Sequence, residues 1–153
     1  MARANFQGYP AMVKVQKTTT DALCLENKPS VAHERNFVNE AYYLWRLNQE
    51  NNPNILCLFA FDTIGPLCHI ITEYMPKGNA RQFLLNCRKQ KHLPSAMMLL
   101  KMCDDVVEAM TGLSSKNIVH GNLRADCVHL DRSNNCKLAG FKYAKQVRIS
   151  NNK

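Results

Sequence analysis

Two apolar runs of strand-forming composition, ILCLFAF at 55–61 and CHIITEYM at 68–75, are followed at once by helical spacing. The switch falls at Pro76, Gly78 and Asn79, residue types that interrupt regular structure. Upstream, AMVKVQK at 11–17 alternates in polarity and is partly β-branched, which predicts a strand. The polar stretch from Thr18 to Glu34, with Pro29, reads as a loop, and residues 35–48 place Phe37, Ala41 and Leu44 on one helical face. NNPN then breaks that helix before the first apolar run, and Asp62 to Pro66 reads as a turn between the two runs.

Beyond Asn79 the pattern predicts a short helix over 81–87 and a long one after Pro94, with Ser95 as its N-cap. Leu99, Met102, Cys103, Val106, Met110 and Leu113 recur at helical spacing, the mark of a packing stripe rather than a cofactor site. CVHL at 127–130 and CKLA at 136–139 form a hairpin around the turn Asp131 to Asn135. Strands with one helix, then helices, then a hairpin make an α+β protein whose sheet is mainly antiparallel.

Several function classes recede on bulk properties. A length of 153 residues fits one domain, and no apolar run reaches the ~18 residues of a membrane span. The opening MARANFQGYP has no signal-peptide core, so an intracellular, cytoplasmic chain is expected. Seven cysteines without a CxxC pair read as small buried hydrophobes, not as a disulfide framework or a zinc site. The formal charge of +8 raises nucleic acid as a partner. However, Arg88, Lys89, Lys91, Lys137, Lys142, Lys145 and Arg148 follow no nucleic-acid-binding motif and read as solvated surface.

The runs AMVKVQK, FVNEAYYLWRL, IITEYMPKGN, NIVHGNLRADCVHL and CKLAGFKYAK together resemble the protein kinase domain, specifically its tyrosine kinase branch. Leu123, Arg124 and Ala125 are similar to the catalytic loop of cytoplasmic Src-type kinases. The resemblance implies a small lobe and hinge over about 6–75 and the first part of a partial helical large lobe over 76–147. It also implies that the glycine-rich loop, most of the activation segment and the later helices are missing, so that 1–153 is a partial domain.

By that resemblance, Lys14 matches the lysine that contacts phosphates and Glu40 the helix glutamate that holds it. Asn122 stands at the catalytic aspartate, Cys127 at a metal-binding asparagine and Gly140 at the second metal-binding aspartate. An amide cannot accept a proton at neutral pH, a thiol is a poor magnesium ligand, and glycine supplies no ligand. Lys142 adds a cation beside the same place. In the adenine slot, Met12 replaces a small ceiling residue and His129 an apolar floor residue, an exchange expected to obstruct it. Thr72 matches the residue guarding the back of the pocket, and Glu73, Tyr74 and Met75 match the hinge. Leu44, Leu58, His120 and Phe141 match the side chains that stack through both lobes.

These correspondences imply a pseudokinase that requires no cofactor, binds ATP at low affinity if at all and has no use for magnesium. Its expected partner is another protein, such as an active kinase, and neither a nucleic acid nor a membrane. A weak ATP-dependent tyrosine kinase and a non-functional truncated fragment are the alternatives. On the last of these, the stripe at 99–113 would lie exposed.

Overall fold

The computed structural model describes residues 1–17, 31–62 and 67–147. Residues 63–66 of the expected turn, most of the polar stretch from Thr18, and also Cys24 and Arg148 lie outside the described residues, whereas Asp62 ends a strand.

Four antiparallel strands form one sheet: β1 (Ala2–Phe6), β2 (Tyr9–Lys17), β3 (Leu58–Asp62) and β4 (Leu67–Glu73), in the order β1-β2-β4-β3. Helix α1 (Val31–Asn48) packs against this sheet, burying Phe37, Ala41 and Leu44 as their spacing predicts. The helix begins four residues earlier than expected, because nothing between Val31 and Glu34 is a helix breaker. The strand β1 was not anticipated: ARANF is short, at the sheet edge and almost wholly exposed, so it carries little apolar pattern.

The first apolar run corrects the sequence reading in an instructive way. Only Leu58 onward joins the sheet; Ile55 and Leu56 leave it to bond elsewhere. The Leu56 N–H donates to the Leu138 carbonyl at 2.9 Å, and the Leu138 N–H donates to the Asn54 carbonyl at 2.7 Å. An apolar run reveals burial but not the strand it bonds to. Similarly, Tyr74 and Met75 extend past β4, and the Tyr74 N–H donates to the Pro10 carbonyl at 3.1 Å.

The helical part follows with α2 (Ala80–Lys89) and α3 (Ala96–Ser115). Ser95 caps α3, its hydroxyl accepting from the Met98 N–H, as the sequence implied. Short strands β5 (Ile118–Val119) and β8 (Lys145–Gln146) pair with each other, as do β6 (Val128–Leu130) and β7 (Cys136–Leu138). The Asp105 carboxylate at mid-α3 accepts from the Cys136 N–H at 2.7 Å and fixes that hairpin to the helix.

The packing stripe on α3 is offset from expectation. Met102, Ala109 and Leu113 are buried, whereas Met97 and Leu100 are 76% and 64% exposed and Leu99 and Cys103 are also exposed. Of the other described cysteines, Cys68, Cys127 and Cys136 are buried and Cys57 and Cys87 partly so. Among the described residues, no helix is long and apolar enough to cross a membrane.

One core cluster runs through both parts of the molecule. It joins Leu44 and Leu47 of α1 to Leu113, Leu130, Leu138 and Phe141, while Leu58 also touches the smaller cluster of Phe37, Ala41, Cys68 and Ile70. Phe141 is fully buried, and its ring lies 5.0 Å from that of the buried His120. Truncating such a side chain removes its transfer energy and leaves a cavity. Phe141→Ala is therefore expected to lower unfolding free energy by about 3–5 kcal/mol, measured by urea denaturation.

Candidate active site

The sheet register builds the upper wall. Met12 faces Thr72 across β2 and β4, and Lys14 faces Ile70. Because side chains alternate along a strand, Met12 and Lys14 point to the same face. The Lys14 ammonium meets the Glu40 carboxylate of α1 at 2.5 Å and lies 5.4 Å from the centre of the Phe37 ring. Glu40 is only 9% exposed, so removing either partner would leave a largely desolvated charge without its mate.

The lower wall comes from the loops around β6 and β7. Asn122 and Cys127 lie on the segment before β6, His129 is in β6, and Gly140 and Lys142 follow β7. Together with the upper wall they surround one cavity of about 520 Å³. Thr72, Glu73 and Met75 line its back and rim. Each residue that the sequence assigned to the pocket thus reaches the same space. Met12 and His129, the expected ceiling and floor residues, both line this cavity.

Within it, the chemistry differs position by position. The His120 ring donates from Nε2 to the Ala139 carbonyl at 2.9 Å, because a carbonyl can only accept. Its Nδ1 accepts the Asn122 N–H at 3.3 Å, which defines a neutral tautomer. The Cys127 thiol donates to the Asn122 carbonyl at 3.4 Å, and burial pushes it above the usual thiol range. A buried neutral thiol does not suit magnesium, which takes hard oxygen donors.

Gly140 is more than an absent carboxylate. Its backbone is left-handed, at φ 78° and ψ 38°, and a Cβ added there would lie 2.9 Å from the Cys127 sulfur. Gly140 and Cys127 are packed against each other. Glu73 is likewise committed elsewhere: its carboxylate accepts from Lys137 at 2.8 and 3.0 Å and from the Cys57 N–H at 2.7 Å.

Asn39 was missed by sequence reasoning. From α1 its side-chain amide donates to the carbonyls of Phe141, Lys142 and Ala144, at 3.3, 3.1 and 2.9 Å. Asparagine is a weak helix former, and its presence inside α1 beside Glu40 was the available signal.

A family model described as protein tyrosine and serine/threonine kinase matches residues 7–153. The chain belongs to the protein kinase family. It is 34% identical over 122 residues to protein-tyrosine kinase 6 of Mus musculus, covering 80% of this chain and 26% of that protein. Tyrosine-protein kinase ABL2 of Homo sapiens is 32% identical over 95 residues, 62% of this chain and 8% of that one. Tyrosine-protein kinase SRK3 of Spongilla lacustris is 29% identical over 121 residues, 79% and 35% respectively. The chain therefore spans about a third or less of the length of these relatives. Membership in the kinase family accounts for the antiparallel sheet and the helices that accompany it.

Two outcomes follow from this geometry. Gly140→Asp is expected to cost about 1–3 kcal/mol of stability through its left-handed backbone and the Cys127 contact. Adding Cys127→Ala should recover part of that loss, which a double-mutant cycle of urea midpoints will show as non-additivity. Burial also pushes His120 and His129 below the ordinary imidazole range. The unfolded chain then takes up their protons first, so stability is complete above about pH 6.5 and falls as pH drops below it. Urea midpoints should decline across that window, and less steeply in His129→Leu.

Proposed function

We propose that this chain is a catalytically inactive kinase-like module, a pseudokinase, that works in the cytoplasm by binding another protein. The observation that carries the reading is the packing of Gly140 against Cys127 beside Asn122. Phosphoryl transfer relies on a group to take or orient the substrate hydroxyl and on metal ions to neutralise phosphate charge. Here the hydroxyl-facing position is an amide, and the two metal positions offer a thiol and no side chain. Restoring one carboxylate collides with the neighbouring exchange.

The scaffold around that centre supports a binding role. The Lys14–Glu40 pair, the Asn39 contacts and the core through Phe141 hold the two parts in a fixed relation. Met97, Leu100 and Val107 present apolar surface along α3, the kind of surface a protein partner covers. An active kinase is the partner class that the family suggests.

A second reading, a weak ATP-dependent tyrosine kinase, draws on the retained Lys14–Glu40 pair and the open cavity. Incubation with radiolabelled ATP, magnesium and tyrosine-containing peptides separates the two. The expected result is no phosphate incorporation above a sample of Lys14→Met. Incorporation that disappears in Lys14→Met overturns the inactive reading in favour of the weak kinase.

A further inference from the structure

Helix α3 has two apolar faces, and only one of them is covered. Met102, Ala109 and Leu113 turn into the core, while Met97, Leu100, Asp104 and Val107 lie exposed on the opposite side. Their spacing of three, four and three residues lines them up as one stripe. Met97, Leu100 and Val107 are 76%, 64% and 60% exposed, and Leu93, just before the helix, is 73% exposed. Apolar side chains gathered in this way mark a face that another surface covers.

The charges along the stripe are segregated. Arg88, Lys89 and Lys91 stand at its leading end, and the interval from Tyr74 to Cys103 contains no acidic residue. Asp104 and Glu108 stand further along it. All five are exposed, and none forms an ion pair among the described residues. Lys101 and Asp105 of the same helix, by contrast, already pair with each other at 2.9 Å. The backbone bearing the three cations ends in a fixed turn. There the Lys91 N–H donates to the Arg88 carbonyl at 3.1 Å and the His92 N–H to the Cys87 carbonyl at 3.0 Å.

An acidic partner would complement only the leading end of this face, and a basic partner only the far part. We infer that the face binds a second copy of this chain, the two α3 helices running antiparallel about a two-fold axis near Leu100. Met97 and Leu100 of both copies then form an apolar centre, and Leu93 of each lies toward Val107 of the other. Lys89 and Lys91 of each copy meet Asp104 and Glu108 of the other, twice over by symmetry. Such a contact closes at two copies. The apolar centre supplies the adhesion, because exposed ion pairs contribute little individually. The charges set the direction, since a parallel pairing would bring like charges together. They also matter because each copy carries a formal charge of +8, and copies repel unless opposite charges meet locally. The inference deepens the proposed function: it rests on the reading of α3 as a protein-binding face and names the occupant.

Sedimentation equilibrium of the full chain at concentrations up to about 100 μM tests this. A monomer–dimer equilibrium that stops at two copies is expected, and Leu100→Glu is expected to weaken it roughly tenfold. Lys89→Glu with Lys91→Glu should weaken it roughly tenfold, and so should Asp104→Lys with Glu108→Lys. An equal mixture of those two altered chains should return to within about threefold of the unaltered affinity, because every charge contact again joins opposite signs. Urea midpoints show that each variant folds. If one does not, the unaltered chain still decides, since monomer throughout or association beyond two copies overturns the inference. Failure of the mixture to recover overturns it as well. A monomer that binds an active tyrosine kinase domain or anionic-lipid vesicles, and loses that binding in Leu100→Glu, gives the face to that occupant and also overturns it. Those outcomes leave the inactive reading standing, which only phosphate incorporation removes.

Discussion

The seating of α1 on the turn at Phe141–Ala144 holds the rest of the molecule in place. Phe141 fills the space beside Leu44 and His120, and Asn39 caps three carbonyls around it. This contact bridges residues about a hundred positions apart in the chain, and it fixes the angle at which α1 presents Glu40 to Lys14. Asn54, Leu56 and Glu73 supply a further set of contacts to the hairpin. The cavity exists because these two sets of contacts hold its walls apart.

Asn122, Cys127 and Gly140 are held together by packing and a hydrogen bond. Cys127 occupies the space that a side chain at residue 140 would need, and it hydrogen-bonds to the carbonyl of Asn122. Three residues that are separate in the sequence form one packed unit. Their energetics are therefore coupled, because each accommodates the others' shape.

Much of the fold was legible because it depends on periodicity. The helical face of Phe37, Ala41 and Leu44, the Ser95 cap and the hairpin at Asp131–Asn135 were all readable from local pattern. The strand at Ala2–Phe6 was not, since an exposed edge strand lacks alternating burial. Ile55 and Leu56 were misassigned because burial in a second hydrogen-bonded partner looks the same as burial in the first. On α3 the buried face is Met102, Ala109 and Leu113, and an all-apolar first turn hides which face turns inward.

By itself, the sequence determined the family and the chemical identity of the centre. An amide at Asn122, a thiol at Cys127 and a hydrogen at Gly140 are covalent facts that no fold can change. Tertiary structure decided which of these groups touch, because contact depends on segments that meet only after folding. It brought Gly140 against Cys127, Asn39 onto three distant carbonyls and Glu73 to Lys137. It also decided that Met12 and His129 line one cavity, since segments so far apart in the chain meet only after folding.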